Sequence, residues 1–339
     1  MTRHVALLGA TGYTGRLTAA ELERKGIPHR LGGRSASRLS AVPSSGEHHV
    51  VDIDDPASLD AFLDGADVLI TCVGPFAAFG MPVVEAAVRT GTPYVDSTGE
   101  PAFMAQVYER FREASTAVVP ACGFDYIPGD LGVAVAAEEL GQVAEEIDVV
   151  YAMKNAKVTR GTAMSGVGAL TSTTPQLGRL VVAGESGPVS AVQLPWGEEL
   201  TVPRHQPKAV VRTGVGAPDW VTQVTKAIGP LSSWLGPASR AAKPLMTAWA
   251  DRRPEGPSDA DRSKASARTY SIVRGGGGEV RVVVRVRDVY GMTARFLVAA
   301  AQQIQGEGAM ATAQSLEARA FLDSVAYEDE GGSLSWDIL

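Results

Sequence analysis

Through the first 140 residues, short apolar runs alternate with helical periodicity. Residues 5–8 (VALL) are continuously apolar and end in glycine, the mark of a strand buried on both faces. A helical spacing follows from Tyr13 to about Lys25. Further runs predict strands at 29–34, 50–53, 67–73, 94–96 and 117–122. Between them lie patterns predicting helices at 56–63, 81–89 and 101–115, and another that starts near Pro128 and reaches Leu140. Strands alternating with helices at this pitch predict a parallel sheet wound on both faces.

From Glu146 the texture changes. Residues 147–153 read as a strand, and 168–200 are rich in Gly, Ala, Ser and Thr, suited to lining a cavity or to a mobile cover. An apolar stripe runs from Trp220 to Ala250 and reads as packing, with an apolar substrate lid as the alternative. Residues 251–262 read as an exposed polar loop. Residues 269–274 and 279–287, joined by Gly275–Gly278, predict a hairpin. Val280, Val282, Val284 and Val286 alternate with Arg281, Val283, Arg285 and Arg287, giving one apolar and one mostly basic face. The basic face reads as solvated, or as an anchor for an anionic carrier or phosphate. A strand with one wetted face belongs to a mixed or antiparallel sheet. The helix opening near Tyr290 and a last one at about 309–325 read as a return to the first half.

The first strand runs into Gly9-Ala-Thr-Gly12-Tyr-Thr-Gly15 and then a helix, the order of a dinucleotide-binding βαβ opening. Gly9, Thr11, Gly12, Tyr13, Thr14 and Gly15 are the candidate pyrophosphate turn, with the amides of the helix start facing the phosphates. About 20 residues on, an NAD site places an acid against the ribose 2′-hydroxyl. This chain has Arg34, Ser35 and, one turn later, Arg38 there. A guanidinium fork and a hydroxyl suit a 2′-phosphate, so NADP(H) is the expected cofactor. The later strand ends add Asp52 and Ile53 near the adenine, Val73, Gly74 and Pro75 near the nicotinamide ribose, and Cys122 and Gly123. Both cysteines, Cys72 and Cys122, read as small buried hydrophobes.

At 339 residues with a net charge of −7, the chain suits two domains and disfavours nucleic acid as its main partner. Two cysteines leave no disulfide framework and suit a reducing cytoplasm. The immediate first strand leaves no room for a signal peptide, and no run of apolar residues spans a membrane. Nothing in the histidine pattern suggests a metal site.

Four ordered blocks carry a resemblance: Gly9 to Arg16, Val73-Gly-Pro-Phe76, Tyr94-Val-Asp-Ser-Thr-Gly-Glu100 and Gly123-Phe-Asp-Tyr-Ile-Pro-Gly-Asp-Leu-Gly132. They resemble the saccharopine dehydrogenase-like oxidoreductases, and most of all the trans-acting enoyl reductase branch. Arg160-Gly-Thr-Ala-Met-Ser-Gly-Val167 looks like the family's Gly-Thr turn, although the family usually has a glycine in place of Arg160.

The resemblance implies an NADPH-dependent reductase of a C=C or C=N bond, enoyl-reductase-like or imine-reductase-like. The low charge of 160–250 favours a largely apolar small-molecule or carrier-bound substrate. A nucleotide-sensing protein without turnover is the rival. The expected architecture is a Rossmann-type domain, 1–130 plus about 290–339, with an inserted α+β mixed-sheet substrate domain at 131–289. A homodimer is among the assemblies it allows. The candidate proton-handling residues are Tyr126 and Asp125, with Arg160, Thr162 and Ser165 toward the substrate. Asp96, Glu100 and Cys122 also end strands on the cleft side. Helix capping explains Asp125 and Asp130 as well as catalysis does, and Asp96 and Glu100 could simply hold the 97–99 turn.

Overall fold

The computed structural model describes residues 2–156, 178–194, 196–228, 252, 256–328 and 332–339. The chain splits into two compact units, Met1–Phe124 with Tyr290–Glu317 and Asp125–Val289 with Ala318–Leu339.

The first unit is a parallel sheet with strands β1 (Val5–Leu8), β2 (His29–Gly33), β3 (Glu47–Val50), β4 (Val68–Thr71), β5 (Tyr94–Asp96), β6 (Ala117–Val119) and, much later, β13 (Gly308–Ala309). Their spatial order is β13-β6-β5-β4-β1-β2-β3, so the winding reverses between β1 and β4, where Val5 pairs with both His29 and Val68. Helices α1 (Tyr13–Arg24), α2 (Ala36–Leu39), α3 (Pro56–Leu63), α4 (Phe76–Thr90) and α5 (Pro101–Arg110) provide the crossovers. Leu7, Leu8, Leu69 and Ile70 are buried in the central strands, and Ala19 and Leu22 of α1 are buried with them. Full burial of such side chains stabilises by about 1.5–3 kcal/mol each for Val or Leu.

Three elements differ from their sequence patterns. β3 ends at Val50 instead of occupying 50–53, because it is an edge strand whose Glu-His-His residues carry no apolar signal. The apolar Val51 and Ile53 are buried beyond it, and Val51 N–H donates to the Gly33 carbonyl at 3.0 Å as a last rung. α4 begins at Phe76, five residues before 81, because the Glu100 carboxylate accepts its first amides. β6 stops at Val119, since Ala121 turns to φ +63° before Cys122.

The second unit contains α6 (Ile127–Leu140) and a curled mixed sheet. Its strands are β7 (Glu146–Lys154), β8 (Gly178–Gly184), β9 (Gly187–Gln193), β10 (Val210–Gly216), β11 (Ser266–Gly275), β12 (Gly278–Arg287), β14 (Tyr327–Glu328) and β15 (Ser333–Ile338). Their order is β14-β15-β12-β11-β7-β10-β9-β8; β7 and β10 run parallel and the other pairs antiparallel. Leu180 and Val182 of edge strand β8 share a buried cluster with Tyr270, Ile272 and Val283, four and five strands away, so the sheet bends back on itself.

The Gly/Ser/Thr-rich stretch thus contains the β8–β9 hairpin, whose Val-rich alternation is diluted by glycine and serine. Two arginines of the β12 row are ion-paired: Arg285 meets Glu185 and, at 2.5 Å, Asp337, while Arg281 meets Glu279 at 2.9 Å. Val283 on that face is buried. The helix Val289–Gln303 falls, from Tyr290 on, in the first unit. The expected return of 318–339 is corrected: the helix Ala318–Val325 belongs to the second unit, and β15 pairs with β12 along Val282–Arg287. The helix Ala318–Val325 is held there by its packing on α6.

Within the apolar stripe, residues 219–228 form helix Asp219–Ile228, whose Trp220 is 71% exposed and so is not core; 229–250 lie outside the described residues. The end of the expected polar loop is a helical turn, Asp259–Arg262, where Ser258 Oγ accepts Asp261 N–H at 3.2 Å. Among the described residues, no helix is long and apolar enough to cross a membrane.

Candidate functional site

In the first unit the turn between β1 and α1 is shaped by its outer glycines. Gly9 adopts φ +84°, and a Cβ there would press within 2.9 Å of the Cys72 carbonyl carbon and the Val73 side chain. A Cβ on Gly15 would fall 2.1 Å from the Gly9 carbonyl oxygen, so the helix can lie on the turn only with glycine there. Gly12 is different: its Cβ would meet only the Gly9 oxygen, at 3.4 Å. Gly12 also opens α1 without a side-chain cap of its own, at the end of the helix where the dipole favours negative charge. That geometry fits a pyrophosphate.

The end of β2 carries the next group. Arg34 is exposed and Ser35 caps α2, its Oγ 3.4 Å from Arg38 N. The Arg38 guanidinium donates to the Thr11 carbonyl at 3.1 Å, and Arg16 donates to the same oxygen at 2.7 Å. Two arginines are thereby placed against the glycine turn, and Arg34, Ser35 and Arg38 sit together where a 2′-phosphate would be read. Asp52 is exposed and accepts Asp54 N–H at 3.0 Å, beside buried Ile53. Val73, Gly74 and Pro75 lead from β4 to α4, with a cis bond between Gly74 and Pro75. Cys122 is buried with its thiol donating to the Val119 carbonyl at 3.3 Å, and Gly123 lies against Thr293 of the return helix. Burial pushes the Cys72 thiol up to about 12, in keeping with a small hydrophobe. Sequence reading passed over Tyr290, whose ring stands edge-on to Tyr13 at 5.4 Å between centroids.

Asp96 and Glu100 hold the backbone. Asp96 accepts the Tyr94 hydroxyl at 2.6 Å, Thr98 N–H at 2.9 Å and Ala121 N–H at 2.8 Å. Burial nonetheless pushes it up to about 6. Glu100 binds the amides of Phe76 and Ala77, each at 2.9 Å.

The second unit opens with Asp125 and Tyr126, and the structure gathers other groups of that unit around them. Tyr126 is fully buried, and Gly197 lies against its ring so closely that a Cβ would come within 1.9 Å of it. Gly129 on α6 faces the Tyr151 hydroxyl and Glu198 Oε1, each 2.6 Å from where a Cβ would stand. The Tyr151 hydroxyl, on β7, donates to Glu198 Oε1 in the short helix α7 (Glu198–Thr201). Asp130 is fully buried with Oδ1 2.9 Å from His205 Nε2.

Burial raises Asp125 to about 6. Burial also raises Glu198 to about 8, with the charges of Asp130 and Asp125 adding to it against the Tyr151 bond and its own amide. Tyr151 is held well above its ordinary value by burial and then by Glu198.

Sequence reading missed Tyr151, Glu198 and His205. The one local signal was Gly197-Glu-Glu199, acids beside a glycine in an otherwise apolar stretch. Arg160, Thr162 and Ser165 lie outside the described residues. No group of three metal-ligating side chains occurs among the described residues.

Residues 5–121 match the family of the saccharopine dehydrogenase NADP binding domain. The first unit is such an NADP-binding domain. NADP(H) is accordingly its cofactor, and the open Gly12, the uncapped α1 start and the Arg34–Arg38 corner fit it.

The trans-acting enoyl reductase of Mycobacterium tuberculosis is 37% identical over 142 residues, which is 38% of this chain and 34% of that protein. The saccharopine dehydrogenase-like oxidoreductase of mouse is 36% identical over 155 residues, 38% of this chain and 36% of that one. The match thus spans about a third of these relatives' length. Saccharopine dehydrogenase (L-Glu forming) of Saccharomyces cerevisiae aligns over 99% of this chain and 100% of its own with a TM-score of 0.63 at 14% identity. That likeness is one of fold alone, a parallel-sheet unit and a mixed-sheet unit.

Proposed function

We propose that the chain is an NADPH-dependent reductase that adds hydride to a C=C or C=N bond of a largely apolar small-molecule or carrier-bound substrate. The observation that carries this reading is the NADP-binding domain over 5–121 joined to a second unit that opens on buried acids and tyrosines. NADPH, when bound, supplies the hydride, and the protein must then orient the acceptor and deliver one proton. Asp125 and Tyr126 are proposed to handle that proton, Asp125 because burial brings its carboxyl toward neutral pH. The described cluster in the second unit is built of acids, tyrosines and one histidine already set on Asp130, which offers little to a substrate with several carboxylates. The names of the enoyl reductase and oxidoreductase relatives point the same way.

The test is NADPH oxidation with two panels, enoyl thioesters and cyclic imines, each with product analysis. Steady turnover with either panel establishes the reductase and tells C=C from C=N. Tight NADPH binding with no turnover on either panel overturns it in favour of a nucleotide-sensing protein.

A further inference from the structure

Thr11 stands inside the glycine turn, and its carbonyl oxygen accepts from two guanidiniums at once. Arg16 donates through Nη1 at 2.7 Å and Arg38 through Nη2 at 3.1 Å. The two arrive from different elements. Arg16 is the fourth residue of α1, where side chains lean back toward the helix start. Arg38 comes from α2, which follows β2, beside exposed Arg34 and the capping Ser35. Their meeting on one oxygen puts the Arg16 guanidinium on the α2 side of the turn, the side of the candidate 2′-phosphate corner.

Bracing the turn does not account for two arginines. One cationic donor fixes a carbonyl, and a second like charge on the same oxygen adds repulsion that the carbonyl dipole offsets only in part. The helix adds to the cost, because the dipole disfavours a cation near the start of α1 and the first turn of α1 contains no acid. Such a gathering of positive charge is relieved by an anion. A phosphate monoester, close to doubly charged near neutral pH, suits it well. The pyrophosphate has its own place at Gly12, where the backbone leaves room.

We infer that Arg16 is a further ligand of the NADP(H) 2′-phosphate, acting with Arg38 and Arg34, and so takes part in choosing NADPH over NADH. Thr11 is the brace: its carbonyl fixes both forks before the cofactor arrives and so lowers the ordering cost of binding. The inference rests on the Arg34–Arg38 corner as the 2′-phosphate site. It needs no turnover and stands apart from the reductase reading.

The first arm of the test is isothermal titration of wild type and Arg16→Met with NADPH and NADH. Methionine keeps a long unbranched side chain and good helix propensity, without the charge or the donors. NADPH affinity should fall about tenfold or more, as for the loss of one charge-assisted contact, while NADH affinity stays within about twofold. Arg34→Ala and Arg38→Ala, titrated alongside, test the corner itself.

The second arm watches the phosphate. Phosphorus NMR of bound NADP+ follows the 2′-phosphate through its second ionisation, which ordinarily falls at about pH 6. A neighbouring cation favours the charged form, so Arg16→Met should raise that midpoint by about 0.5 in pH or more relative to the wild-type complex. A residue that only braces the turn would leave it unmoved. A third measurement uses the wild type alone, with arginine labelled at the guanidinium nitrogens. Its Arg16 signal should move with NADP+ and much less with NAD+.

Equal losses for NADPH and NADH place Arg16 at the pyrophosphate or the turn and overturn the inference alone. Unchanged affinities in Arg16→Met do the same, as does an Arg16 signal that responds alike to NADP+ and NAD+. If Arg34→Ala and Arg38→Ala both keep the wild-type ratio of NADPH to NADH affinity, the corner is overturned and this inference with it.

Discussion

Glu100 and Phe76 are joined across 24 residues: Glu100 Oε1 accepts Phe76 N–H at 2.9 Å, and Oε2 takes the next amide, Ala77. The contact satisfies two orphan donors of α4 and places a negative charge at the positive end of its dipole. It also pins the Val73–Pro75 link that enters this helix. Buried hydrogen bonds to a charge contribute about 1.5–3 kcal/mol each, and their loss leaves amides unpaired. Glu100→Ala should therefore lower the unfolding free energy by about 2–4 kcal/mol and weaken NADPH binding through the loosened link. Urea titration and cofactor titration of the variant check both; unchanged stability would show that the cap is idle.

The same contact explains part of what the sequence conceals. The parallel sheet was legible because β1, β4, β5 and β6 are buried on both faces, and local apolar runs report that directly. The glycine turn was legible because Gly9 and Gly15 answer a local steric demand. The start of α4 was not, since its cap arrives from Glu100. β3 was misplaced because edge residues Glu47 and His48 face water. Glu198 was passed over for a similar reason. Its partner Tyr151 is 47 residues away, and nothing local marks a glutamate as fully buried.

Arg34 should set the preference between cofactors. It is exposed at the end of β2 beside Ser35, with Arg38 held to the Thr11 carbonyl. A charge-assisted contact to a 2′-phosphate contributes about 1.5–3 kcal/mol, about one to two decades in affinity. Arg34→Ala should lose that factor for NADPH and little for NADH. Isothermal titration with both cofactors decides it, and equal affinities in the wild type would refute the assignment of the corner.

Gly12 and Gly15 should respond in opposite ways to a side chain. A Cβ at Gly15 meets the Gly9 oxygen at 2.1 Å, so Gly15→Val should destabilise the unit itself. A Cβ at Gly12 meets the same oxygen only at 3.4 Å, so Gly12→Val should fold while its side chain occupies the phosphate's place. Circular dichroism melting beside NADPH titration separates the two. Normal cofactor binding in folded Gly12→Val would mean that the phosphates lie elsewhere.

Stability should fall as pH rises above the carboxylate range, the reverse of ordinary acid unfolding. Burial raises Asp96 and Asp125 from 3.8 to about 6 and Glu198 from 4.5 to about 8. A group raised on folding binds its proton more tightly in the native state, so between its unfolded and folded values the native protein holds more protons than the unfolded chain. The stability contributed is complete below the unfolded value and is lost as pH climbs through the folded one. For the aspartates the loss is centred toward pH 6, and for Glu198 it continues to about 8. Glu185, lowered by its hydrogen bond to Arg285, acts oppositely, but only as pH falls below its ordinary range. The two windows therefore do not cancel. One pKa unit corresponds to about 1.4 kcal/mol, so the total fall should be on the order of several kcal/mol. Urea midpoints for wild type and Glu198→Gln, measured across this range, provide the check. Above about pH 4.5 the variant should fall less steeply than the wild type, and beyond about 6 it should stay level while the wild type goes on falling. Parallel curves up to about pH 9 would show that Glu198 carries no proton of its own in the native state.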